Sequence, residues 1–340
     1  MNPSTVLSIS VDINRGRKKV QVNKGSSLLA GLARNGVFIP SACGGNARCG
    51  YCKIKVISPD TPPTPPELAL LSDLEKKDGV RLACQTKPEK NIAIEIPEEL
   101  FSVKRFSGKV LRKKMYTYDI LGLSIGLVNP STIDFRSGQY LQLKSMPYDG
   151  KEAVLRDFSI ASSPSQKNSV ELMIRRIPNG IFTPWAIDVL KEGDSISFSG
   201  PYGKFGATNT GKPMLCIAGG SGMAPMWSIL QDMREKKSNR RIHYFFGALT
   251  QKDLFLVEEL NGLKKELADF TFTPALSNEP ADSDWDGERG LITEVVARII
   301  PDCSDYEAYL CGSPGMINAC LAVLKKGGMK DENIFYDKFA

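Results

Sequence analysis

The sequence predicts a three-module chain: a small α+β unit, then an antiparallel β-barrel, then a parallel, doubly wound α/β sheet. Three patterns predict it. Short alternating strands around a brief helix fill the first hundred residues, evenly spaced β segments fill the second hundred, and strand–helix alternation runs from Gly211 onward. With 340 residues the chain has room for two or three separate cores. The expected modules span residues 1–100, 104–207 and 211–340.

In the first module SISVDI and KKVQV alternate as strands, and a short helix from Ser27 is closed by Gly36. YCKIKVI alternates again. TPPTPPELALLSDLEKK then predicts a stop followed by a helix, with Thr64 as cap, Pro65 in the first helical position and Glu67 completing a capping box. NIAIEIPEEL closes the module. The second module reads as FSGKVL, YDILGLSIGL, GQYLQLK, DFSIASS, SVELMIRRI and DSISFSG, the regular spacing of an antiparallel barrel, interrupted by a helical FTPWAIDVLKEG. The third alternates PMLCIAGG, APMWSILQDMREKK, RIHYFFGAL and DLFLVEELNGLKKEL, which is βαβ patterning.

The charged and apolar fractions are ordinary for a globular protein. No apolar run approaches the roughly 20 residues that span a bilayer. The stretch MNPSTVLSISVDINRGRKK lacks the apolar core of an export signal, so a cytoplasmic enzyme without an integral membrane segment is expected. The net charge of +6 suits a solubilising surface, or affinity for phosphate-bearing cofactors or an acidic partner protein. Lys104, Arg105, Lys109, Arg112, Lys113 and Lys114 cluster, but no aromatic-interleaved basic stripe or nucleic-acid motif accompanies them, so no nucleic-acid partner is expected.

Eight cysteines in a chain of this size without an export signal do not suggest a disulfide framework. Cys43, Cys49 and Cys52 follow C-x5-C-x2-C, and Cys84 comes 32 positions later. Three ligands on one loop with an isolated fourth fit a plant-type [2Fe–2S] cluster. Gly44, Gly45 and Gly50 allow the loop to turn its N–H groups inward. Structural zinc, usually held by two close pairs, and free or disulfide-bonded thiols are the alternatives. A Rieske centre needs two histidines, and the chain has His243 alone. That residue lies in an apolar strand and reads as structural; Cys216, Cys303 and Cys320 read as packing residues.

RDFSIASSP is by itself an amphipathic strand. Beside MIRRIPNGIFTPWAI it gains another meaning. Gly180, Ile181, Phe182 and Thr183 lead into a helix whose N-terminus can bind phosphate, and Arg156 can pair with the same pyrophosphate. Phe158 can then stack on a flavin ring and Ser159 can donate toward its reactive nitrogen. CIAGGSGMAPMWS places Gly219, Gly220 and Gly222 between a strand and a helix, where a phosphate-bearing ligand can approach the backbone or the chain can simply turn tightly. YLCGSPGM repeats the arrangement, so both turns should face one crevice, with Cys311 either there or as a small packing thiol.

In this order the motifs resemble the ferredoxin–NADP reductase superfamily with an N-terminal [2Fe–2S] domain. Oxygenase reductases share that arrangement, and the match is narrower still to the F subunit of the sodium-translocating NADH:quinone oxidoreductase. The cysteine loop with Cys84, GGSGMAPM, ALSNEPADSDWDG and YLCGSPGMINA…DENIFYDKFA carry the resemblance, which covers almost the whole chain. It implies a β-grasp [2Fe–2S] ferredoxin domain with metal ligands Cys43, Cys49, Cys52 and Cys84, an antiparallel β-barrel FAD domain, and a Rossmann-like parallel α/β NAD domain. It implies FAD bound by Arg156, Phe158, Ser159, Gly180, Ile181, Phe182 and Thr183. It implies NADH held by Gly219, Gly220, Gly222, Met223, Ala224 and Pro225, and by Cys311, Gly312 and Pro314. Phe339 matches an aromatic that covers the flavin face. Ser159, Cys311 and Phe339 are thereby the candidate catalytic residues. Two departures limit the resemblance: the pump component has an N-terminal membrane helix where this sequence starts directly at the first strand, so a soluble relative is expected, and its G-P-P-M is G-S-P-G-M here.

The expected function is that of an NADH-dependent oxidoreductase passing single electrons through the cluster to a protein acceptor such as an oxygenase or ferredoxin. NADH is expected over NADPH because FGALTQKDLF has no arginine for a 2′-phosphate, although Lys252 supplies one cation. The alternative is a reductive activator for a low-potential partner such as a corrinoid protein, since plant-type clusters sit near roughly −400 mV. A flavin-free structural zinc protein is the plainest reading.

Overall fold

A computed structural model describes residues 7–339. Residues 1–6, which begin the stretch read above for an export signal, and residue 340 lie outside the described residues. The chain packs as two compact units, residues 1–107 with 141–157 and 196–202, and residues 108–140 with 158–195 and 203–340.

The first module is a mixed five-stranded sheet. β1 (Ser8–Ile13) and β2 (Lys18–Asn23) form the expected antiparallel hairpin. α1 (Leu28–Arg34) starts where the Ser27 hydroxyl accepts the Ala30 N–H, and the chain turns away at Gly36, φ +71°. α1 lies close on β2 because Gly31 has no side chain; a Cβ there would stand 2.7 Å from Val22 Cγ1. β3 (Lys53–Ser58), α2 (Pro65–Leu70), α3 (Asp73–Lys77), β4 (Val80–Leu82) and β5 (Ile92–Glu95) follow. The order is β2-β1-β5-β3-β4 with β1 and β5 parallel at the centre, the β-grasp arrangement. Leu28, Leu32, Val11 and Ile13 are wholly buried beneath it.

The single helix expected over PPELALLSDLEKK is two. Leu71 adopts an extended conformation and is buried, and Ser72 starts a second capping box with Glu75. A second Ser-x-x-Glu signal inside a short amphipathic run thus outcompetes helix propagation.

β6 (Lys104–Met115), β7 (Ile120–Asn129), β8 (Tyr140–Lys144), β9 (Leu155–Ser159), β10 (Ser169–Arg175), the one-turn α4 (Phe182–Pro184) and β11 (Ser195–Tyr202) come next. The strands order as β10-β7-β6-β11-β8-β9. A bridge between Ile160, just past β9, and Leu172 of β10 links the ends of that order, making a nearly closed barrel. The helix expected over FTPWAIDVLKEG is shorter than its pattern: α4 passes at Trp185 into a π-turn ending at Val189.

β12 (Met214–Gly219), α5 (Met223–Glu235), β13 (Ile242–Ala248), α6 (Val257–Leu263), β14 (Phe270–Leu276), β15 (Glu288–Arg289), α7 (Ile292–Ile299), β16 (Glu307–Gly312), α8 (Pro314–Lys326) and β17 (Ile334–Lys338) complete the chain. Their sheet is parallel throughout, in the order β15-β14-β13-β12-β16-β17. Strand order therefore reverses between β12 and β16, the switch point where ligands collect in such sheets. Both faces are covered: Phe246 joins the core under α5, and Phe245 joins the core under α7 and α8. Each contributes about 1.5–3 kcal/mol by burial.

Candidate functional site

The four predicted ligand cysteines come together as two pairs. Cys49 Sγ donates to Cys43 Sγ at 3.4 Å, and the thiols of Cys52 and Cys84 are hydrogen-bonded to each other. All eight cysteines are free thiols. Gly44, Gly45 and Gly50 take φ of +66°, +93° and +72°, and Ala47 takes +53°. This conformation suits glycine and strains Ala47. It aims backbone donors at sulfur. Burial opposes ionisation of Cys43, yet the N–H groups of Arg48, Cys49 and Gly45 outweigh it and bring the thiol down to about 7. Cys84 falls to about 6, chiefly through the Cys52 hydrogen bond and against burial, with help from Gln85 and the Ala47 N–H. Their partners move up: Cys52 by donating to Cys84 and by burial, Cys49 by burial. Each pair titrates as a unit.

This donor set fits a two-iron cluster with two thiolates on each iron. Among the described residues no three His, Cys, Asp or Glu side chains gather around one metal-ion position. Two anchors escaped the sequence reading. Buried Ser41 ties down the loop's entry, its hydroxyl accepting the Gly45 N–H at 2.9 Å. Glu67 caps α2 as expected, accepting from the Thr64 N–H, and its other oxygen accepts from the Leu82 N–H at 2.5 Å. One buried carboxylate thereby fixes the strand that delivers Cys84.

The predicted flavin residues Arg156, Phe158 and Ser159 lie on β9. Arg156 Nη1 donates to the Leu155 carbonyl at 2.7 Å and reaches the Ala42 carbonyl, one residue before Cys43, at 3.4 Å. Ser159 is buried. Phe158 packs on Phe182 with ring centroids 4.8 Å apart, and Phe182 is itself buried against Trp185. Thr183 Oγ1 accepts the Ile177 N–H at 2.8 Å, closing the turn that carries Gly180 and Ile181. With only one α-turn behind it, this turn has little macrodipole, and its attraction for phosphate falls to backbone N–H groups.

The two glycine turns meet at the switch point. Ala218 is in register with Cys311 on adjacent β12 and β16. A Cβ on Gly222 would stand 2.3 Å from the Cys311 carbonyl oxygen, and one on Gly312 would stand 2.5 Å from Met316 Cε. Met223, Ala224 and Pro225 open α5 and are buried. Pro314 opens α8, where the Ser313 hydroxyl accepts the Met316 N–H at 3.3 Å. Cys311 is completely buried, and burial pushes its thiol well up. Phe339, distant in sequence, donates its N–H to the Gly312 carbonyl at 3.0 Å. Asp337, opposite Cys311 on β17, was not singled out by any local motif; burial pushes its carboxyl up to about 6. His243 stacks on Phe245 at 4.1 Å and bonds Thr273 Oγ1, and burial lowers it to about 4, a packing role as expected.

Comparison with known proteins follows the same three-part division. Residues 11–89 match a 2Fe-2S iron-sulfur cluster binding domain, 107–206 an oxidoreductase FAD-binding domain, and 216–321 an oxidoreductase NAD-binding domain. The F subunit of the Na(+)-translocating NADH-quinone reductase of Neisseria meningitidis is 34% identical over 97% of this chain and 91% of its own length. The chain belongs to that reductase family. The protein of the same name in Pseudoalteromonas atlantica is 32% identical over the same shares. Among solved structures, the Amycolatopsis cytochrome P450 reductase GcoB superposes with a TM-score of 0.80 at 28% identity, covering 97% of this chain and 98% of that one. The ferredoxin reductase in carbazole 1,9a-dioxygenase shares the fold, with a TM-score of 0.76 at 24% identity over 98% and 99%. The chain is thus an NAD(P)H-dependent oxidoreductase of the ferredoxin reductase type, binding FAD and a [2Fe–2S] cluster and transferring electrons. Among the described residues no helix is long and apolar enough to cross a membrane.

Proposed function

We propose that the chain oxidises NADH and delivers single electrons to a protein acceptor, with modules at residues 1–100, 104–207 and 211–340. The pairing of the four thiols two by two carries this reading, because it prepares a one-electron outlet in the chain that also holds the nucleotide crevice. When bound, FAD and the [2Fe–2S] cluster convert a two-electron hydride into single electrons.

The chain's own residues supply position and shielding. Gly219, Gly220 and Gly222, ahead of Met223, Ala224 and Pro225, let a dinucleotide approach the backbone; the close fit of Gly222 on Cys311 keeps that wall flat. Cys311, Gly312 and Pro314 continue the same wall along adjacent β16 and the start of α8. Arg156, Phe158, Ser159 and the turn from Gly180 to Thr183 would hold the flavin, Arg156 and the turn by its phosphates and Phe158 and Ser159 by its ring. Phe339, pinned to Gly312 through its backbone, would shield the flavin face. The N–H groups of Arg48, Cys49 and Gly45 on Cys43, and of Ala47 on Cys84, favour the thiolates that would hold the cluster. NADH is the preferred donor, as the segment FGALTQKDLF at the end of β13 has no arginine to meet a 2′-phosphate, with Lys252 its one cation.

Anaerobic addition of NADH to the purified protein should bleach both flavin and cluster absorbance. Initial rates should favour NADH over NADPH. Protein whose flavin bleaches while the cluster stays oxidised would overturn the relay.

A further inference from the structure

The charge of this chain is concentrated where electrons would leave it. Residues 1–100 carry 14 Lys and Arg against 10 Asp and Glu, which accounts for +4 of the chain's net +6. The carboxylates are also largely spent within the module, since seven of the ten sit in ion pairs with its own Lys or Arg. Glu67 is buried at its cap. None of the ten falls in the two segments that carry the thiols, 41–52 and 83–88. There the charged side chains are Arg48 and Lys87, both exposed, and neither forms an ion pair among the described residues.

The loop also has two distinct ends. Its entry, Ala42, meets Arg156 of β9. Its exit carries exposed Asn46 and Arg48, and Tyr51 at 43% exposure, around the half-exposed Cys43 and Cys49. The inner pair, Cys52 and Cys84, is buried.

We propose that the Arg48–Tyr51 end of the cysteine loop, together with Lys87, is the docking surface for an acidic patch on a protein acceptor. The proposal rests on the electron-relay reading above and specifies the partner of its outlet. One electron leaves the cluster and one-electron reduction of the acceptor balances it. Like charges juxtaposed across an interface repel, so an acceptor with a basic rim is disfavoured. Two exposed cations on the segments that carry the thiols suit a small, transient electron-transfer contact. They suit an anionic lipid surface poorly, where each Lys or Arg is worth only about 1 kcal/mol.

Stopped-flow mixing tests this on the holoprotein, reduced beforehand with stoichiometric dithionite so that docking is read independently of NADH. The acceptors are an acidic rubredoxin and a basic cytochrome c. Reduction of rubredoxin should slow as salt rises through the range where the Debye length shrinks to about 8 Å. It should slow about tenfold in Lys87→Glu and in Arg48→Glu, while cytochrome c reduction speeds up. Iron content and cluster spectrum of each variant show that the loop is intact. The proposal is overturned if rubredoxin reduction ignores both salt and charge reversal, or if the parent prefers cytochrome c. It is likewise overturned if the parent sediments with phosphatidylserine vesicles and the variants do not. Bleaching of the same preparations by NADH is scored separately, so failure of the relay is told apart from failure of docking.

Discussion

In the loop of residues 41–52, shape is local. Four positive-φ residues and the Ser41 anchor turn N–H groups onto sulfur within a dozen positions. At the switch point of the parallel sheet, shape is long-range. Gly222 fits because β16, far along the chain, lies in register beside β12 and presents the Cys311 carbonyl to it. The first site is defined by the groups it contains, the second by the volume it leaves free. They should therefore break in different ways: the loop by deletion of a donor, the crevice by addition of an atom.

Deleting a donor has the largest expected effect. Cys84→Ala should abolish the cluster's visible spectrum, with iron content falling toward zero, and should stop reduction of protein acceptors. NADH-driven ferricyanide reduction, which needs no cluster, should persist. A Cys84→Ala protein with a full complement of iron would refute the two-by-two pairing.

Adding an atom comes next. Gly222→Ala must displace the Cys311 carbonyl, an overpacking that typically costs about 1–3 kcal/mol. KM for NADH should rise with the cluster spectrum unchanged. Gly315→Ala, in the first turn of α8 with open space around it, is the matched control and should be neutral. Equal behaviour of the two variants would show that close packing does not shape the crevice.

These two sites were unequally legible. The cysteine loop reads from spacing because its ligands and glycines are neighbours in sequence; only Cys84 is remote, and it sits in its own recognisable RLACQTK. The glycine turns read as strand–turn–helix signals, but their mutual contact depends on strand order, which local pattern does not encode. Asp337 was not singled out, and Phe339 was reached only through the resemblance of the terminal DENIFYDKFA; their place beside Cys311 and Gly312 comes from the pairing of β17 with β16. The split of the expected helix at Leu71 was overlooked because one amphipathic run hides two caps. Glu67 was read as half of a box, since its second oxygen finds Leu82 only in the folded unit.

The smallest predicted effect compares two titrating groups inside the parallel sheet. Asp337 is raised by burial from 3.8 to about 6, so the folded state takes up its proton first. Its contribution is full below about pH 4 and is lost as pH rises through 6. His243 is lowered by burial from 6.5 to about 4, so the unfolded chain takes up its proton first, and stability is lost as pH falls from 6.5 toward 4. The two oppose each other between pH 4 and 6. Asp337→Asn should steepen the acid loss of thermal midpoint and His243→Gln should flatten it. Parallel profiles in both variants would show that neither group is desolvated as described.

The strand order also governs where the chain tolerates change. Everything encoded between the two glycine turns, β13 through β15 with their helices, lies on one flank of the sheet as an excursion that returns beside its point of departure. The surface stretch 278–287 is the outermost part of that excursion. Arg289 ties that stretch down by donating to the Glu279, Pro280 and Trp285 carbonyls, so a tag or fluorescent reporter spliced there has to leave those three bonds intact.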